Sequence, residues 1–265
     1  MDSNRLRRMA AEVDEEHREA MRTIEDDLVS ALPTRDDTSA GRRSFLRGAG
    51  FSGLVVAVGG LTLSLDAMVH SAAAQTGTTT TQAGTTTSGA PTTTTTLPPR
   101  QPSADDRALL GFIQSLELTA VAAYGIALDS KKLSDATGTV AQIFQAHHRQ
   151  HAQATGSLAG AAAPNVANAS LVAAFGPKFQ SAADEKSLLQ LAYQVENAAV
   201  ATYAAALAKI TGTDPAAVMA SILPIESRHA IVLGQAMGLG ISDLAPTIEN
   251  LGNAATPDKN PIGKG

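Results

Sequence analysis

Apolar residues recur every three or four positions along four stretches between residues 103 and 240, which is the spacing of one buried face of an α-helix. The first stretch follows a Ser-Ala-Asp-Asp segment at 103–106 that has the form of a capping box. The second stretch begins at Asp135, and the third follows a Ser-Ala-Ala-Asp segment at 181–184. The fourth opens at Asp214, whose next residue is a proline at the first helical position. The pattern predicts four amphipathic helices.

The connection between the second and third predicted helices, residues 160–183, is longer than the other two and contains two prolines. We expect at most a short helix there, near residues 171–175. Short connections place consecutive helices antiparallel, and some four-helix bundles contain one long crossover. The sequence therefore predicts an all-α fold: a four-helix bundle over residues 103–240 with a long crossover between its second and third helices, followed by an irregular tail at 241–265.

Residues 1–40 show apolar positions at helical spacing among Arg, Glu and Asp. The apolar positions are Leu6, Met9, Val13, Met21, Ile24 and Leu28. They predict an amphipathic helix, which we place on the cytoplasmic side of an export signal. We interpret this helix as a solvated extension with no part in the fold after cleavage. The alternative is a transient partner-binding or dimerising segment.

Residues 41–74 indicate an export signal of the twin-arginine type. Arg42 and Arg43 precede a Phe-Leu-Arg run, and the apolar stretch at 51–65 is short for a membrane span but suits the core of a signal peptide. Three alanines before Gln75 give a small-residue cleavage site. We expect the twin-arginine translocase as a transient partner and a periplasmic, wall-associated or extracellular location. Retention of the signal as an anchor is the alternative.

Residues 75–102 are rich in Thr, Gly and Pro and contain few residues that could form a core. Such a segment cannot offset the entropy lost on ordering. We therefore expect a disordered linker between the signal and the bundle.

The composition excludes several kinds of chemistry. The chain has no Cys, so disulfides, thiolate catalysis, iron–sulfur clusters and lipid attachment at a cysteine are ruled out. The net charge of −5 at pH 7 gives no basic footprint, so we expect no nucleic-acid partner.

The chain contains an internal repeat. Residues 115–128 and 194–207 share a Glu, an Ala-Val pair, a Tyr seven positions after the Glu, and a final Ala-Leu. The repeated pairs are Glu117 with Glu196 and Tyr124 with Tyr203. About thirty residues after each Glu comes a second repeated piece, in which His148 and His151 of the first copy match Glu226 and His229 of the second. Glycines follow in the same register, at 156 and 160 in the first copy and at 234 and 238 in the second.

Helical geometry places these polar residues on the apolar faces. Residues three apart share a face of a helix, and residues seven apart differ by only about 20° of rotation. Three carboxylates and three imidazoles should therefore point into the bundle, and the same stripes carry no Lys or Arg. Burying an unpaired carboxylate costs several kcal/mol. Bound divalent cations would remove that cost.

With Glu on the first and third helices and a ligand-x-x-His step on the second and fourth, residues 104–239 resemble the ferritin-like di-iron or di-manganese family. The resemblance implies metal ligands at Glu117, His151, Glu196, Glu226 and His229, with iron or manganese favoured and zinc an alternative. His148 stands where the family has a glutamate that bridges both metals. Because imidazole binds through one nitrogen, we expect one ion to bind well and a second one poorly.

Other polar residues on these helices receive separate interpretations. Tyr124 and Tyr203 are expected in the core, with hydroxyls that support ligand carboxylates. His147 is expected to face solvent, the alternative being a ligand pair with His151 at i, i+4. Gln145 and His148 form a second i, i+3 pair that the repeat register disfavours. Asn168 begins an Asn-Ala-Ser glycosylation sequon to which we assign no role.

Two functions remain open from the sequence. The first is an exported metal-binding protein that oxidises Fe(II) or consumes hydrogen peroxide. The second is a non-catalytic structural or stress-protective module that holds one metal or none. Whether the chain is an enzyme, which residues would be catalytic, and whether it forms a homodimer are not decided by the sequence.

Overall fold

The computed structural model describes residues 2–31, 99–244 and 250–263. The predicted signal and nearly all of the predicted linker lie outside the described residues. Over the described part the chain is helical and contains no strand. Seven α-helices are present there: α1 (Ser3–Ala31), α2 (Ala104–Asp129), α3 (Asp135–Ala159), α4 (Ala169–Ser181), α5 (Glu185–Leu207), α6 (Thr213–Ala236) and α7 (Ile241–Leu244). Short 3₁₀ turns lie at Gly160–Ala162 and Leu251–Asn253.

Helix starts follow the capping residues in the sequence. Ser103 caps α2 in a reciprocal capping box with Asp106, and Ser134 accepts a hydrogen bond from the third residue of α3. Asp184 caps α5 through the backbone N–H of Ser187, so within the predicted 181–184 segment it is the Asp that forms the cap. These caps satisfy backbone donors that have no partner inside a helix.

The predicted four-helix bundle consists of α2, α3, α5 and α6. Helix α2 packs on α3 and α5, while α6 packs on α5 and α3, so the four helices form a ring. The buried hydrophobic residues form three clusters, which contain Phe112 and Met219, Phe144 and Ile225, and Phe179 and Leu188, respectively. The predicted metal ligands lie on the inner faces of the same four helices.

The crossover between α3 and α5 holds a longer helix than predicted, α4, which packs on the α2–α5 side of the ring. Its N-cap Asn168 is fully buried, and the side chain of Asn168 donates to the carbonyl of Asn260. The sequon asparagine is therefore a structural residue that joins the crossover to the C-terminal segment.

Helix α1 confirms the predicted amphipathic helix, but its interpretation as a solvated extension is wrong. Helix α1 belongs to the same compact unit as the bundle and packs on α3 and α6. The predicted apolar stripe is buried at Leu6, Val13, Met21 and Ile24. Each such side chain contributes about 1.5–3 kcal/mol on full burial. Helix α1 therefore covers one side of the ring, opposite the side covered by α4.

The repeated glycines have matching structural positions in the two halves. Gly160 and Gly238 both adopt positive φ, 58° and 83°, just after α3 and α6, a conformation that ends helices and favours glycine. Gly156 and Gly234 lie where a Cβ would come within 2.1 Å of Gln114 and 2.3 Å of Leu244. The repeat therefore preserves backbone packing as well as polar residues.

Two described helices, α2 and α6, are long and apolar enough to span a membrane by length and composition. Half or more of the most apolar window of each is buried inside the protein. The core helices of a soluble bundle have the same character, and both helices carry buried carboxylates on their inner faces.

Candidate metal centre

All six predicted ligands meet in the middle of the bundle and are buried, with none more than 3 % exposed. Each of the four bundle helices supplies at least one of them. The six residues are Glu117, His148, His151, Glu196, Glu226 and His229. Their helices begin at capped positions and present these side chains on the faces that the repeat predicted.

The six side chains form two groups that share two members. Glu117 and His151 belong to one group, Glu196 and His229 to the other, and both groups include His148 and Glu226. Within each group the potential ligand atoms lie within 4.8 Å of one another. This arrangement has two adjacent positions for a cation with common ligands between them.

Glu226 divides its two oxygens between the groups. Its Oε1 lies 2.7 Å from Nδ1 of His151, and its Oε2 lies 3.5 Å from Nδ1 of His229. A carboxylate can bind through both oxygens at once. Glu226 is therefore placed to serve both positions together.

His148 divides its two nitrogens in the same way. Nδ1 lies 2.8 Å from Oε2 of Glu117, and Nε2 lies 3.2 Å from Oε1 of Glu196. A neutral imidazole has a lone pair on only one nitrogen. His148 can therefore serve either position as a neutral ligand, but not both at once.

The histidines neutralise part of the buried negative charge. Burial alone would lower the pKa of His148, but the carboxylates of Glu226 and Glu196 raise that pKa well above its ordinary range. The pKa of His151 is likewise lowered by burial but raised overall, to about 9, by Glu117 and Glu226. In the metal-free site both imidazoles therefore favour the protonated form. The buried negative charge can therefore be balanced in part by these histidines as well as by bound cations.

The same interactions act on the carboxylates. Burial would raise the pKa of Glu117, but its hydrogen bond with His148 and its contact with His151 lower that pKa to about 2. The pKa of Glu196 falls well below its ordinary value, because the attraction of His148 outweighs burial. Both carboxylates are ionised at neutral pH and available as anionic ligands.

The two repeated tyrosines brace the carboxylates across the halves. Tyr203 donates a 2.6 Å hydrogen bond to Oε1 of Glu117, and Tyr124 donates to Oε1 of Glu196. Both hydroxyls are buried, and burial together with these carboxylates raises each tyrosine pKa well above 10. The tyrosines therefore remain protonated donors. The expectation of core tyrosines supporting ligand carboxylates agrees with these contacts.

The prediction that His147 faces solvent is wrong. His147 is 1 % exposed, with Nδ1 2.9 Å from Nε2 of His229 and Nε2 3.1 Å from Oδ1 of Asp14 on α1. Burial, opposed by Asp14, lowers the pKa of His147 to about 3, so its ring is neutral. The helix face that carries His147 is buried because α1 covers it.

Sequence reasoning missed Asp14 and His17. His17 is fully buried and stacks on His147 with ring centroids 3.8 Å apart. A signal was present, because His17 occupies a position in the apolar stripe of α1, four residues after Val13 and four before Met21. A histidine inside a buried stripe indicates a polar partner in the protein.

Several ligand atoms form no hydrogen bond of good geometry among the described residues, although some of them lie within ion-pair distance of one another. They are both nitrogens of His151, both oxygens of Glu226, Oε2 of Glu196 and Nδ1 of His229. Buried polar atoms without partners are costly, and a cluster of them calls for an explanation. Imidazole and carboxylate are ligands of iron, manganese and zinc. The donor set therefore fits divalent metal ions of this type.

Comparisons with known proteins agree with this geometry. A family model described as the ferritin-like domain matches residues 105–239, which covers α2 to α6 and all six side chains of the centre. No curated protein matches the chain, and no solved structure matches it. The match spans just over half of the chain, and on that basis the protein belongs to the ferritin-like domain family.

Proposed function

We propose that this protein is an exported metal-binding protein that uses iron or manganese held by Glu117, His148, His151, Glu196, Glu226 and His229. The observation that carries the proposal is the pair of ligand groups sharing His148 and Glu226, with buried ligand atoms in both that form no hydrogen bond of good geometry among the described residues. Glu117 and His151 would hold one ion, Glu196 and His229 the other. Glu226 would contact both, and His148 would contact one.

The proposed chemistry is oxidation of Fe(II) or consumption of hydrogen peroxide. A bound redox metal would supply the electron transfer that this chemistry requires. The protein orients the carboxylates through the tyrosine hydroxyls and excludes water from the centre by burial. A non-catalytic module with one metal or none is the second candidate, favoured by the histidine at position 148.

The first experiment measures metal content and affinity. The full chain is purified without added ions, stripped with a chelator, and titrated by calorimetry with Mn(II), Zn(II) and, anaerobically, Fe(II). We expect binding by the wild type and a loss of at least about 100-fold, about 2.7 kcal/mol, in Glu226→Gln, because Glu226 belongs to both groups. Glu19→Gln alters an exposed carboxylate on α1 and is the matched control.

The outcomes separate the two candidates. Binding of no ion by the wild type would overturn metal binding and leave the bundle as a scaffold. Binding without Fe(II) oxidation by oxygen or peroxide would favour the non-catalytic module. Equal losses in Glu226→Gln and Glu19→Gln would place the bound ion outside this centre.

Export through the twin-arginine translocase is part of the proposal and is supported by Arg42 and Arg43 before the apolar stretch at 51–65. Replacing both arginines with lysine should leave the precursor inside the cell, as measured by fractionation and immunoblotting. Normal export of that variant would contradict the proposed route.

A further inference from the structure

Helix α1 lies outside the residues that match the family model, yet it reaches the metal centre. Asp14 is partly exposed and lies 3.1 Å from Nε2 of His147. Nδ1 of His147 lies 2.9 Å from Nε2 of His229, and Nδ1 of His229 faces Glu196 Oε2 at 3.4 Å and Glu226 Oε2 at 3.5 Å. A continuous line of polar contacts therefore runs from α1 to a proposed ligand.

The carboxylate of Asp14 determines which atom donates in each hydrogen bond along this line. An ionised carboxylate has only acceptor atoms, so Nε2 of His147 must donate to Asp14. A neutral imidazole carries a single N–H, which leaves Nδ1 of His147 as an acceptor. Nε2 of His229 must then donate to it. Nδ1 of His229, the atom that faces the carboxylates, therefore keeps its lone pair.

We propose that Asp14 is a positioning residue of the metal centre, which acts through His147 to fix His229 in the tautomer whose Nδ1 can bind a cation. The inference rests on the proposed metal-binding function. A histidine ligand whose second nitrogen donates to a fixed acceptor is oriented and becomes a stronger ligand. In this protein the final acceptor comes from a separate helix, so docking of α1 and metal affinity are coupled.

His17 completes the contact by covering the ring of His147. The two rings are nearly parallel, with 12° between their planes, and neither nitrogen of His17 has a hydrogen-bond partner among the described residues. The contact is therefore made through the ring faces. A phenylalanine at position 17 would retain it, and His17→Phe leaves the line from Asp14 to His229 intact.

The test uses the full chain titrated with Zn(II), a diamagnetic ion suited to NMR. Asp14→Ala removes the acceptor, whereas Asp14→Asn keeps an acceptor oxygen without the charge. Glu15→Ala is the matched control, because Glu15 also pairs with Arg18 and the same charge is lost without any contact to His147. We expect Asp14→Ala to weaken zinc binding about tenfold or more, Asp14→Asn to restore most of the affinity, and Glu15→Ala and His17→Phe to bind like the wild type.

A second readout reports the tautomers directly. Long-range ¹H–¹⁵N correlation spectra of the zinc-loaded wild type should show His147 protonated only at Nε2 and His229 bound through Nδ1. A proton on Nδ1 of His147, an unchanged affinity in Asp14→Ala, or equal losses in Asp14→Ala and Glu15→Ala would overturn the inference while leaving the metal centre in place. If the wild type binds none of Zn(II), Mn(II) and Fe(II), that result would instead overturn the proposed function on which the inference rests.

Discussion

The two halves of the bundle share a set of contacts and differ in one ligand. In each half a tyrosine from the opposite half donates a hydrogen bond to the first carboxylate, and a glycine with positive φ follows the second ligand helix within two residues. The halves differ where His148 of the first matches Glu226 of the second. Both side chains divide their polar atoms between the two groups, but only the carboxylate can bind on both sides at once. The repeat therefore keeps the contacts of the two halves, but only the second half supplies a residue that can bind two ions at once.

The largest expected effect comes from restoring that bridge. His148→Glu should raise the stoichiometry from one bound divalent ion to two, with an increase on the order of 100-fold, about 2.7 kcal/mol, in affinity for the second ion. The reason is that a second carboxylate would neutralise charge at both positions. Calorimetric titration of the full chain with Mn(II) measures both quantities.

The reverse change is the control for this prediction. Glu226→His removes the one shared carboxylate and should abolish binding at both positions. If His148→Glu still binds a single ion, the residue at position 148 is not the reason why the second ion binds poorly.

A smaller difference is expected at the helix starts. Asp106 is buried and accepts hydrogen bonds from the backbone of Ser103, Thr211 and Gly212, whereas the side chain of Asp184 is exposed and accepts hydrogen bonds from Ser187. Asp106→Ala should lower the free energy of unfolding by about 2–3 kcal/mol, because buried donors lose a charged acceptor. Asp184→Ala should cost clearly less. Urea denaturation of both variants measures the difference.

The hydrogen bonds to Asp106 should also make the free energy of unfolding depend on pH. Burial would raise the pKa of Asp106, but hydrogen bonds from Thr211 and Ser103 lower it to about 2 from the ordinary 3.8. A lowered folded-state pKa adds stability above 3.8, and that stability is lost as the pH falls toward 2. Asp106→Asn should therefore show a shallower loss of stability in this window. An identical acid limb in both proteins would contradict the assignment.

The smallest expected effect is a difference in stability between the Tyr203→Phe and Tyr124→Phe variants. Tyr203 is the one hydrogen-bond partner of Glu117 Oε1 among the described residues, whereas Glu196 Oε1 also contacts His148. Tyr203→Phe should cost about 1 kcal/mol of stability and Tyr124→Phe less, as measured by thermal unfolding of the metal-free chain. Equal or reversed losses would show that His148 does not support Glu196.

Hydrophobic periodicity and the repeat were sufficient to predict much of the molecule. They predicted the four bundle helices, whose family and all-α fold are confirmed, and six side chains that meet in one buried cluster. Helical spacing defines which residues share a face, but it does not identify the neighbouring helix. The cross-half tyrosine contacts could therefore not be derived from it.

The docking of α1 could not be derived for the same reason. An amphipathic stripe indicates that a helix needs an apolar surface and does not say which one, and the location of α1 before an export signal suggested that it lay apart from the bundle. The burial of His147 could not be predicted either, because it results from the contact between α1 and the bundle. His17 was the available clue, because it is a polar residue within the apolar stripe.

If the proposed export takes place, the position of α1 in the chain determines when its contact with the bundle is lost. Helix α1 precedes the proposed signal and the bundle follows it, so a chain threaded once through a membrane at 51–65 would hold the two on opposite sides. The Asp14–His147 contact exists only while both share a compartment. If cleavage then occurs before Gln75, the exported bundle leaves its acceptor behind. With the role proposed for Asp14, the bundle would bind metal more tightly before export than after it. The rate of metal release would then differ between exported molecules and those that still contain α1.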